Sequence, residues 1–100
     1  MLLIRDLMFC KPGKVRPMVE KFKAMKKLGE KKGMGSMRIL TDLSAERYWT
    51  VISEIEVASL EAFMAMGQPD GAETKEMERI MSDYHDLVES GRREIYTIEG

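Results

Sequence analysis

The sequence predicts an α+β fold, with four strands in one antiparallel sheet and helices packed on one face, in the order β-α-β-β-α-β. Three observations carry this. Apolar residues gather in four short strand-like segments and recur at helical spacing in the two stretches between them. Pro and Gly punctuate the joins. Two of the strand segments, Leu2 to Phe9 and Arg47 to Glu56, are apolar on both parities, which marks them as the centre of the sheet.

In the first segment Leu2, Ile4 and Met8 share one parity and Leu3, Leu7 and Phe9 the other. Lys11-Pro12-Gly13 turns the chain into a helix that begins between Lys14 and Pro17, Pro17 being tolerated in a first turn. Val15, Met18, Val19, Phe22 and Met25 form its buried stripe, and Gly33 suits a left-handed stop. Ser36 to Asp42 is the second strand. Leu43 to Glu46 is a polar connection to the third, Arg47 to Glu56, where Trp49, Val51 and Ile55 oppose Tyr48 and Ile52. A helical piece from Ser59 to Met66 breaks at Gly67-Gln68-Pro69-Asp70-Gly71. A longer helix, Ala72 to Glu89, buries Met77, Ile80, Met81, Tyr84, Leu87 and Val88; Gly91 ends it and Arg93 to Glu99 is the last strand. Right-handed crossovers then give the strand order 4-1-3-2. The open face of the two central strands needs an apolar cover, and a second copy of the chain is the simplest one.

One hundred residues make a single domain, 1–100, small enough for a partner surface to add usefully to its stability. Its 44% apolar and 33% charged residues are those of a folded soluble protein. With one cysteine, Cys10, no intrachain disulfide forms, which fits a reducing compartment. Arg5 and Asp6 interrupt the N-terminal apolar run before it reaches signal-peptide length, and no segment approaches a membrane span, so the expected location is the cytoplasm. Net charge is −1, but residues 1–50 hold twelve Lys and Arg against five Asp and Glu, and residues 51–100 hold four against twelve. The basic excess lies on one helix without interleaved aromatics, which reads as a solvated face beside an acidic neighbour and not as a nucleic-acid surface.

The strand leading into Lys11-Pro12-Gly13-Lys14-Val15 and its helix resembles the start of NIPSNAP-type domains. The run Leu87-Val88-Glu89-Ser90-Gly91-Arg92-Arg93-Glu94-Ile95-Tyr96 is similar to the end of bacterial members. The resemblance implies a ferredoxin-like unit of the dimeric α+β barrel superfamily, in which two sheets face each other across a cavity. It brings no agreed catalytic residues. Haem-degrading monooxygenases of that superfamily use an Asn on the first strand, a Trp on the third and a His on the second helix. Asp6, Trp49 and His85 fall on corresponding elements, but Asp6 is not Asn and His85 lies too far along the chain from Trp49.

Polar residues inside the central strands are the candidate cavity groups: Arg5, Tyr48 and Glu54 on one parity, Asp6 and Trp49 on the other, with the first set favoured as the more polar. Antiparallel pairing places Arg5 across from Ser53 or Glu54, as an ion pair or as an orienting group. His85 is the sole histidine and a candidate base, although its place beside the buried stripe also suits an ordinary boundary residue. One histidine and one cysteine are too few for a metal site, and no cofactor is expected. The resulting expectation is a homodimer binding a small apolar or aromatic molecule between its sheets. A cofactor-independent monooxygenase or isomerase and a non-catalytic interaction module are the alternatives.

Overall fold

The computed structural model describes residues 1–31, 36–66 and 72–100. Its elements are β1 (Leu2–Cys10), α1 (Val15–Lys31), β2 (Met37–Thr41), β3 (Thr50–Val57), α2 (Leu60–Met66), α3 (Ala72–Ile80), a 3-10 turn at Tyr84–Asp86, and β4 (Val88–Thr97). The four strands form one antiparallel sheet in the order β2-β3-β1-β4, which is the predicted order. The expected stop at Gly33 and break at Gly67 to Gly71 lie outside the described residues.

The core is the space between the sheet and α1. Met18, Val19 and Phe22 are buried on α1 and meet Cys10 and Val51 of the central strands and Leu87 before β4. Lys11-Pro12-Gly13 delivers α1 to that face: Gly13 takes a φ of 77°, and Lys14 donates its backbone N–H to the Lys11 carbonyl at 3.0 Å. The Ser59 hydroxyl caps α2 by accepting the Ala62 N–H at 3.1 Å.

Two boundaries differ from the expectation. The third strand begins at Thr50, not Arg47. Trp49 has a φ of 64°, a left-handed conformation that a strand does not allow and that a bulky residue adopts at a cost. The conformation is held from three sides. Trp49 gives its carbonyl to the Cys10 N–H at 2.8 Å, the Thr50 hydroxyl donates to the Arg47 carbonyl at 2.8 Å, and the Thr50 N–H donates to Asp42 Oδ1 at 2.8 Å. The apolar character of this strand on its open side therefore rests on Ile52 alone, since Tyr48 lies outside it.

The second difference is the long helix to Glu89, which ends at Ile80 and gives way to the 3-10 turn and an early start of β4 at Val88. Lys21 of α1 explains the stop. Its ammonium donates to the Ile80 carbonyl at 2.8 Å and pairs with the Asp83 carboxylate, so a side chain of the neighbouring helix occupies the end of α3. Leu87 is buried as expected, but its carbonyl accepts the Lys11 N–H at 2.8 Å, which ties it to the sheet. Gly91 is inside β4, not at a helix end; a Cβ there would meet the Leu7 carbonyl oxygen at 3.0 Å and Met8 Sδ at 3.2 Å.

Candidate functional site

The strand register sorts the candidate residues by face. Met8, Cys10, Val51 and Ile39 pack toward the helices, so the alternate positions of each strand point to the face that carries none of the described helices. On that open face one cross-strand row reads Arg38, Glu54, Arg5, Glu94 over all four strands, alternating in charge at every step. Beside it runs the row Leu40, Ile52, Leu7, Arg92. Leu3 and Tyr96 lie on its other side, and Phe9 closes the far end of the face.

The charged row is a connected network. Glu54 is buried; its Oε2 lies 2.8 Å from Arg5 Nε and its Oε1 accepts from Arg38. The Arg5 contact is ionic in character, because the Nε–H is buried without a well-aligned acceptor. Glu94 Oε1 accepts from the Tyr96 hydroxyl at 3.0 Å and lies 3.5 Å from Arg5 Nη1, while its Oε2 accepts from Arg92 Nε at 2.9 Å. The Tyr96 hydrogen bond, aided by Arg92 and Arg5, holds the Glu94 carboxyl below the usual carboxylate range. Arginine also covers part of the apolar surface: Arg47 lies 4.2 Å and Arg92 5.7 Å from the centre of the Phe9 ring.

Of the expected cavity residues the structure brings Arg5 and Glu54 together, directly opposite each other. The other three lie elsewhere. Asp6 is on the helix-facing parity, held by Arg93 through two hydrogen bonds of 2.6 and 3.1 Å that raise the Arg93 pKa. Tyr48 and Trp49 stand at the end of the sheet, outside β3; both line a groove of about 390 Å³ with Val15, Thr41 and Asp42. His85 is exposed, its ring 4.0 Å from that of Tyr84, and it shares a groove of about 510 Å³ with Asp6, Ser90 and Arg93. Asp6 and His85 therefore share one groove, with the Asp6 carboxylate held by Arg93, whereas Trp49 does not line it.

Sequence reasoning missed Arg38, Arg92, Glu94 and Tyr96. The signal was present for Arg38 and Glu94, because the strand order places each beside a member of the Arg5–Glu54 pair once register is assigned. Among the described residues no three His, Cys, Asp or Glu side chains are grouped to hold a metal.

The sheet order and one-sided helices define a ferredoxin-like α+β unit. Comparison with solved structures gives the nearer likeness: the chain has the fold of NIPSNAP domain proteins. An uncharacterised NIPSNAP domain protein from Burkholderia xenovorans superposes with a TM-score of 0.73 at 13% identity, over 98% of this chain and 94% of that one. A NIPSNAP family protein from Agrobacterium tumefaciens gives 0.66 at 15% identity, over 96% and 90%. A proposed antibiotic biosynthesis monooxygenase from Nitrosomonas europaea gives 0.71 at 15% identity over the whole of both chains. The resemblance read from the two sequence motifs is thus borne out in the fold. No family model and no curated protein matches the sequence.

Proposed function

We propose that the chain works as a homodimer whose two open sheet faces pack against each other and enclose a small molecule with an apolar or aromatic body. The observation that supports this best is the exposed Leu40 and half-buried Ile52 beside a polar row, on a face that none of the described helices covers, Leu7 between Ile52 and Arg92 being already buried in the protomer. Four strands spaced about 4.8 Å and roughly 25 Å long present about 500 Å² per copy. Two copies bury about 1,000 Å², which is the lower bound for a specific interface. The reading has the protein acting in the cytoplasm, as one domain and without a cofactor.

Sedimentation equilibrium tests the dimer. The expected result is a dimer at micromolar concentration that Ile52→Arg converts to folded monomers; a stable wild-type monomer at that concentration would overturn the proposal. Trp49 lies away from the open face, so titration calorimetry is the better measure of occupancy there.

A second reading, a cofactor-independent monooxygenase, is favoured by the groove that His85 and Asp6 both line and by the description of the Nitrosomonas europaea neighbour. It predicts oxygen uptake with phenolic substrates that His85→Ala abolishes while leaving the dimer intact. Uptake unaffected by that substitution would exclude His85 as the base.

A further inference from the structure

The chemistry of the open face narrows the ligand further, and this step rests on the sheet-to-sheet reading above. The network holds three guanidiniums, Arg5, Arg38 and Arg92, against two carboxylates, Glu54 and Glu94. Three guanidiniums carry roughly fifteen N–H donors, whereas two carboxylates offer about eight acceptor sites, one of them already taken by Tyr96. The Arg5 Nε–H is already buried without an aligned acceptor. While the face is open, water satisfies the remaining donors of Arg38 and Arg92. Once a second sheet covers it, that water is excluded, and donors without acceptors become costly. A second copy related by two-fold symmetry does not close the deficit through this network, because it brings the same surplus of one positive charge.

We propose that the small molecule bound between the sheets carries a carboxylate, anchored by Arg5 and Arg38 with Arg92 beside them, its apolar body lying on Ile52 and Leu40. A carboxylate supplies one negative charge and about four acceptor sites in the planar geometry that guanidinium groups match. The neighbouring row supplies the apolar contact two residues, about 7 Å, along each strand from the charges. Glu56 shares this face, opposite Leu3, and is the competing acceptor: across the two-fold axis it would neutralise the surplus without any ligand.

The test compares 1-naphthoate with its neutral analogue 1-naphthylmethanol and its cationic analogue 1-naphthylmethylammonium. Each is titrated calorimetrically into the wild-type dimer and into Arg38→Gln and Glu56→Gln. The expected result is at least about ten-fold tighter binding of naphthoate than of the alcohol, weakening with salt. Arg38→Gln, at an exposed position, weakens the acid far more than the alcohol and so removes that preference. Equal binding of acid and alcohol, or preference for the ammonium, overturns the carboxylate assignment while the cavity stands. Absence of binding by all three overturns the cavity reading itself. Acid binding that appears only in Glu56→Gln shows that Glu56 of the second copy fills the site, and overturns the assignment.

Discussion

Glu54→Gln tests whether the charged row is a structural element of the protomer. The substitution keeps the volume of the side chain and removes its charge. Glu54 is 8% exposed in its side chain, Arg5 27% and Arg38 73%. The Arg5 pair is therefore shielded from water, and at an effective dielectric constant near 20 its attraction at about 4 Å between charge centres is roughly 4 kcal/mol. Desolvation of both groups offsets part of that, and the amide keeps one acceptor, leaving a loss of about 2 kcal/mol. The Arg38 pair is largely solvated and contributes less than about 1 kcal/mol. The expected cost is about 2–3 kcal/mol, which lowers Tm by roughly 10–20 °C in a domain of this size. Urea unfolding at one fixed protomer concentration is the appropriate assay, since the stability of an oligomer depends on concentration. Double-mutant cycles with Arg5→Met and Arg38→Gln apportion the effect. A cost below about 0.5 kcal/mol, or stronger coupling to Arg38 than to Arg5, would refute the argument from burial.

Gly91→Ala is expected to destabilise by about 1–3 kcal/mol in the same assay, because its Cβ meets a backbone oxygen at 3.0 Å that the β1–β4 ladder holds in place. Tyr96→Phe removes the main cause of the lowered Glu94 pKa. A depressed carboxyl pKa contributes stability that is fully present above the unfolded value and is lost as pH falls through the folded one, so wild type should be more stable than the variant at neutral pH and that advantage should shrink as pH falls below about 4.5. Parallel acid titrations followed by circular dichroism check this, and coincident curves would exclude the linkage. Burial, with Asp42 nearby, pushes the Cys10 thiol up. Its reaction with a disulfide reagent at pH 8 should therefore track unfolding, and rapid labelling of the native protein would contradict the buried placement.

The parts of the fold that were legible are those governed by side-chain periodicity. The stripe Val15, Met18, Val19, Phe22 on α1 and the short two-sided apolar run of β1 each have one reading, and the sheet order follows from the succession of elements. The boundaries that were misread depend on interactions between distant segments. Trp49 leaves the strand pattern because its carbonyl bonds to Cys10, nearly forty positions earlier in the chain. The helix ends at Ile80 because Lys21, on another helix, occupies its last carbonyl. Tyr84, Leu87 and Val88 fit a helical stripe equally well when that ammonium is not considered.

The same distinction applies to the site. Arg5 opposite Glu54 followed from antiparallel order alone, whereas the extension to Arg38, Glu94, Arg92 and Tyr96 required the register of both edge strands. That extension changes the meaning of the open face. A wholly apolar face would pair with any exposed sheet, in any register, and would carry a risk of aggregation. A row of alternating charges across all four strands penalises every approach that buries it against hydrocarbon. An arrangement that supplies opposite charge or acceptors to Arg5 and Arg38 lowers the cost of burying the neighbouring Leu40 and Ile52. On the proposed sheet-to-sheet reading, selectivity for a partner and selectivity for a ligand would therefore have the same physical source. If the chain associates as proposed, removing the two central charges of the row, as in Arg5→Met with Glu54→Met, should leave that association intact or strengthen it while loosening its stoichiometry. Sedimentation velocity would resolve this as species larger than a dimer, and an unchanged single dimer would show that the charged row plays no part in choosing the partner.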